Sequence, residues 1–114
     1  MNIDLSYLEE ITEGDKDMML EMLSLFIEDI PKQVETILKH AANQDLAGIG
    51  SESHKLKPTL QYAGLYSLYQ TVKRLEVLGK AGVQTDEIST LIAKLGEETE
   101  EALISLEEKK KEFK

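Results

Sequence analysis

The stretch LAGIGSESHKLKPTLQYAG, residues 46–64, decides the fold. Leu46, Ile49, Ser53, Leu56, Leu60 and Ala63 recur at alternating spacings of three and four, the rhythm of one face of an α-helix. Asp45 precedes the stripe as a natural N-cap, and Gly64 follows it as a left-handed C-terminal cap. Pro58 lies inside the stripe and removes the amide that would bond to the carbonyl of His54. The stripe continues in phase through Leu60 and Ala63, so a bent helix is expected rather than an ended one.

The same period runs outward in both directions. A short helix is expected from Asp4 to Thr12, capped by Asp4, with Leu5, Leu8 and Ile11 on one face. Gly14 breaks it and Asp15 caps a long second helix, Lys16 to Asn43. The inward stripe of that helix is Met19, Leu23, Phe26, Ile30, Val34, Ile37 and Ala41, and it crosses Pro31 in phase, which predicts a kink. After the 46–63 helix, a fourth is expected from Leu65 to Leu78, with Leu65, Leu68, Val72 and Leu75 inward. Gly79 and Gly82 then flank a loop. A fifth runs from Asp86 to Lys111, capped by Thr85, with Ile88, Leu91, Leu95, Thr99, Ala102 and Leu106 inward and Phe113 at its end. Lys109, Lys110 and Lys111 suit the negative end of its dipole. No run alternates with period two. The expected fold is all-α: an up-down-up-down four-helix bundle with a short additional N-terminal helix.

Composition narrows the class. The chain of 114 residues is expected to form a single domain, 1–114, and its 41% hydrophobic content supports a packed core. It has no cysteine, which excludes disulfides and thiolate chemistry. No signal segment and no apolar run of membrane-spanning length is visible, so a cytoplasmic location with no membrane association is expected. A net charge of −9, no Trp and only 5% aromatics argue against nucleic acid.

Among the two histidines, His54 is the chemical candidate. Ser53 occupies the apolar seam, so His54, rotated by about 100°, points to the flank or to solvent. Gly50, Ser51, Lys57, Pro58 and Gln61 share its face. Gly50 is expected to leave open space beside the ring. Lys57, one turn later, can set an ammonium near any anion the ring receives. Neutral imidazole is a good nucleophile near physiological pH. His40, with Glu35 and Lys39 near it, reads as a surface residue, and no metal site is expected. Glu9-Glu10, Glu97-Glu98 and Glu107-Glu108 read as solvated helix faces.

The string His54-Lys55-Leu56-Lys57, with Gly64 ten residues after the histidine, resembles the signature of histidine-containing phosphotransfer (HPt) domains, and the order and lengths of the helices are similar to that family's bundle. The resemblance implies that His54 is the phosphoacceptor, Lys57 its electrostatic partner and Gly64 the small residue after the histidine helix; Gly50 and Gln61, on the face of His54, are expected to support the site. It implies a phosphorelay carrier rather than an enzyme. The carrier would accept a phosphoryl group from a receiver-domain aspartate and pass it to another receiver. Its expected partners are response-regulator receiver domains and a hybrid histidine kinase. It would need no cofactor of its own, since the partner receiver supplies Mg²⁺. The more exposed ring nitrogen, Nε2, is the expected site. The family usually has glycine where this chain has Pro58, which bears on where Lys57 points.

The second helix carries more apolar side chains between Met18 and Ile30 than one bundle-facing stripe needs, and Met18, Met22 and Leu25 are the expected docking residues of a monomeric carrier. Two other readings stand beside this one. One is a helical adaptor or inhibitor that binds a receiver or kinase without being phosphorylated, a reading that Pro58 favours. The other is a bundle that self-associates through its apolar excess.

Overall fold

The computed structural model describes residues 3–113, and among them it has five helices and no strand: α1 (Ser6–Thr12), α2 (Lys16–Ala42), α3 (Leu46–Tyr62), α4 (Tyr66–Ala81) and α5 (Asp86–Glu112). Three of the four long helices begin where the sequence offers a capping side chain; α4 begins after Leu65 without one. The side chains of Asp15, Asp45 and Thr85 accept from the amides of Met18, Gly48 and Ile88, satisfying donors left over at a helix start. Short connections force antiparallel neighbours, and each long helix packs against two others in the cyclic order α2, α3, α4, α5. The result is an up-down-up-down bundle with α1 laid against α2.

The stripes read from the sequence form the core. Met19, Leu23, Phe26, Ile30, Val34 and Ile37 are buried from α2, Ile49, Leu56 and Leu60 from α3, Leu68, Val72 and Leu75 from α4, and Ile88, Leu95, Ala102 and Leu106 from α5. Helix α2 continues through Pro31 and α3 through Pro58. Packing along an unbroken apolar stripe offsets the one hydrogen bond each proline removes.

Four local expectations are corrected. Leu5, not Asp4, is the N-cap of α1; the Asp4 carboxylate instead accepts from the amide of Ser6 at 2.9 Å and from its hydroxyl. Ile11 is exposed, and Thr12, one turn after Leu8, is buried in its place with its hydroxyl on the Leu8 carbonyl at 2.8 Å. Glu98 is buried rather than solvated, because Ser67 and Thr71 on α4 each direct a hydroxyl at its carboxylate at 2.5 Å. Finally, Gly79 lies within α4 instead of starting a loop, and Gly82, at φ 73°, ends the helix.

The last correction matters most for function. A Cβ on Gly79 would stand 2.6 Å from the amide nitrogen of Gly50 and 2.7 Å from the carbonyl oxygen of Leu46. Helices α3 and α4 therefore touch backbone to backbone, and this contact offsets the helix-forming cost of a mid-helix glycine. Gly64 serves a different closure. It ends α3 at φ 69°, and a Cβ there would collide with the backbone of Asp4, whose amide bonds to the Gly64 carbonyl at 3.2 Å.

The glycines of α4 and α5 should answer the same substitution with opposite signs. Gly79→Ala should destabilise the fold by about 1–3 kcal/mol by overpacking the α3–α4 contact. Gly96→Ala, on α5 with open space around its Cβ position, should stabilise it by about 0.5–1 kcal/mol. Urea denaturation of the two variants measures both, and equal signs would contradict the contact.

Candidate functional site

The Gly50–Gly79 contact sets the register of everything around His54. Because α3 and α4 run antiparallel, the turn after Gly50 meets the turn before Gly79. His54 follows Gly50 by four residues and Glu76 precedes Gly79 by three, so the contact brings the two side chains together. Ser53 and Leu56 face the core, and the His54 side chain, rotated off that seam, is 65% exposed. Glu76 is buried, one position beyond Leu75 and one turn beyond Val72, on the flank of α4 that α3 covers.

Glu76 gathers three nitrogen donors. Its Oε2 lies 2.5 Å from Nδ1 of His54 and 3.1 Å from Nζ of Lys80, and its Oε1 lies 2.5 Å from Nζ of Lys57. The Lys57 contact, together with those of Lys80 and His54, outweighs burial and holds the carboxyl at about 2, against an ordinary 4.5. The same pairing raises Lys57 above its usual value. Both groups are charged at neutral pH.

An ionised carboxylate can only accept hydrogen bonds, so Nδ1 of His54 must carry a proton. In the neutral ring the lone pair then resides on Nε2. The site thus displays an exposed imidazole whose tautomer is set by a buried anion, and the available chemistry is nucleophilic attack by Nε2 on an electrophile brought from outside.

The remaining expected residues are distributed as follows. Lys57 is 22% exposed and engaged with Glu76 despite Pro58 beside it. Gly50 is buried and does not open space next to the ring; it admits α4 instead. Gln61 lines a hollow with Tyr7, Pro58, Tyr62 and Tyr66, one to two turns along α3 from His54. Gly64 sits at the crossing with Asp4. Met18 and Leu25 are exposed, and Met22 is half-buried against the core. His40 stays apart from His54, packed over Gly48 with Nδ1 3.1 Å from Asp45 Oδ2. A second hollow, about 480 Å³, opens beside the ring between Ala47, Ser51, His54, Lys55, Gly79, Lys80 and Gly82.

Sequence reading missed Glu76 and Lys80. The signal for Glu76 was present: Leu68, Val72, Leu75 and Gly79 outline a packed face, and Glu76 falls within it. A carboxylate in that position needs cationic partners, and the lysines were in view.

Glu76 makes the site sensitive to acid. Its folded-state value lies below the ordinary one, so its contribution to stability is complete above about pH 5 and is lost as pH falls toward 2. Carbon-13 NMR should place the Glu76 carboxyl titration near 2, and Glu76→Gln should flatten part of the acid limb in a plot of urea midpoint against pH. Nitrogen-15 shifts of neutral His54 should show the proton on Nδ1; a proton on Nε2 would overturn the tautomer.

Neither a curated protein nor a solved structure gives a significant match to this chain. The family model for the Hpt domain matches residues 21–109, from the second turn of α2 nearly to the end of α5. That span holds α3 and α4, which carry His54, Lys57, Glu76 and Lys80, with most of α2 and α5, and the chain belongs to the Hpt domain family of phosphorelay phosphocarriers.

Proposed function

We propose that His54 is the residue of this carrier that receives and returns the phosphoryl group, through Nε2. The observation that carries the reading is the Nδ1–Glu76 contact, which leaves Nε2 with its lone pair on an exposed ring. In the forward step the Nε2 lone pair attacks phosphorus of an aspartyl phosphate on a receiver domain. The N–P bond forms, the P–O bond to the aspartate breaks, and the carboxylate leaves with the electron pair, in line through a loose transition state. The ring gains positive charge as its lone pair is committed, and the Glu76 carboxylate on Nδ1–H stabilises that charge. The reverse step delivers the group to a second receiver aspartate and restores the neutral imidazole.

The receivers supply Mg²⁺, and a hybrid histidine kinase feeds the chain of transfers. For the carrier's own part, an approaching receiver meets the exposed ring and, one turn further, the hollow of Tyr7, Pro58, Tyr62 and Tyr66. The Tyr7 and Tyr62 rings stand 5.4 Å apart there, an apolar surface continuous with the histidine helix. Met18 and Leu25, exposed on α2, are the apolar side chains that would dock the receiver there. The adaptor reading drew its support from Pro58; α3 continues through Pro58, and the exposed ring held at Nδ1 by Glu76 favours the carrier reading.

Incubation with a phosphorylated receiver and Mg²⁺ should yield an acid-labile, base-stable label on the protein. His54→Gln should abolish it, and a label persisting in that variant overturns the assignment. Glu76→Gln should slow transfer about tenfold to a hundredfold, the loss expected for weakening one charge-assisted hydrogen bond of about 1.5–3 kcal/mol.

A further inference from the structure

Two ammonium groups converge on Glu76, and their settings differ. Lys57 is largely covered, at 2.5 Å from Oε1, the oxygen His54 does not use. Lys80 is 59% exposed and sits at the longer distance of 3.1 Å from Oε2, the oxygen already bonded to Nδ1 of His54. Lys80 also lines the hollow that opens beside the ring, and Lys57 does not. The neighbours of Lys80 in that hollow are small: Ala47, Ser51, Gly79 and Gly82, and a Cβ on Gly82 would meet nothing within 4 Å. One cation is enough to balance one carboxylate, so beside a neutral imidazole the second is surplus.

Building on the assignment of His54 as phosphoacceptor, we infer that Lys80 is the cation that partners the phosphoryl group on Nε2, while Lys57 remains on Glu76 as a positioning residue. The exposed Lys80 stem swings across the hollow when a dianion appears there, and Oε2 keeps its bond to Nδ1–H. Lys57 has no such freedom. Its departure would leave Oε1 of a buried carboxylate unpaired. Lys55 lines the same hollow, but its ammonium lies 3.5 Å from Glu52 on its own helix and has no link to the Glu76 carboxylate that holds the ring. The division exchanges the role that sequence spacing suggests for Lys57 with a lysine on a different helix.

The inference can be tested without a receiver. Phosphoramidate donates its phosphoryl group directly to histidine: Nε2 attacks phosphorus, the N–P bond of the donor breaks, and ammonia departs with a proton from solvent. Phosphorus-31 NMR then follows the second protonation of the phosphoryl group on His54 as a function of pH. A neighbouring ammonium favours the dianion, so Lys80→Ala should raise the proton affinity of the phosphoryl group about fivefold. Lys80→Arg should retain the wild-type titration, and Lys55→Ala and Lys57→Ala should each move it less than Lys80→Ala. Identical titrations for wild type and Lys80→Ala, or a larger shift in Lys57→Ala, would overturn the role of Lys80 and leave His54 as phosphoacceptor untouched. Failure of the wild-type His54 to take the label, with His54→Gln indistinguishable from it, would instead overturn the phosphoacceptor assignment and the inference with it.

Discussion

The functional geometry depends on one close approach, the contact of α3 with α4 at Gly50 and Gly79. Helices separated by ordinary side chains stand about 8–10 Å apart. Without side chains at this crossing the backbones meet, and the short Glu76 side chain reaches an imidazole on the neighbouring helix. A methyl group at either glycine would push against backbone atoms, which cannot yield as a flexible side chain does. The contact therefore determines both the stability of the helix pair and the protonation pattern of the histidine.

Glu76 shows how a buried charge becomes useful. A carboxylate removed from water is costly unless its oxygens are paired. Here each oxygen has a lysine, and one of them also accepts from the ring. The pairing keeps the acid ionised to about pH 2, so it acts as a fixed acceptor throughout the range in which histidine chemistry operates. The ring is left exposed for a partner while its other nitrogen is tied to a rigid part of the bundle. Nucleophilicity and orientation are thus supplied by different helices.

The charge distribution follows the same logic. The chain carries −9 overall, yet Lys55, Lys57 and Lys80 surround His54. A net negative charge repels nucleic acid phosphates, whereas the lysines around His54 give its neighbourhood a cationic character suited to an anion. Glu98, on the far side of α4, is a contrast. It accepts from two hydroxyls and ties α4 to α5.

Much of this was legible in the sequence. Strict three-four stripes determined the number of long helices, their inward faces and, through short capped connections, their antiparallel order. The His54-Lys55-Leu56-Lys57 string marked the histidine, since a residue one step off a seam must lie on the flank. Other features depended on atoms far apart in the chain. Whether Gly79 ends α4 or continues it turned on Gly50, twenty-nine residues earlier, because local propensity does not include a partner backbone that occupies the space of a missing side chain. The partner of the ring, its tautomer and the different settings of Lys57 and Lys80 followed from that packing. Periodicity gives the direction in which a side chain leaves its own helix; only the tertiary structure decides what it meets, because that depends on how near and in what register the next helix lies.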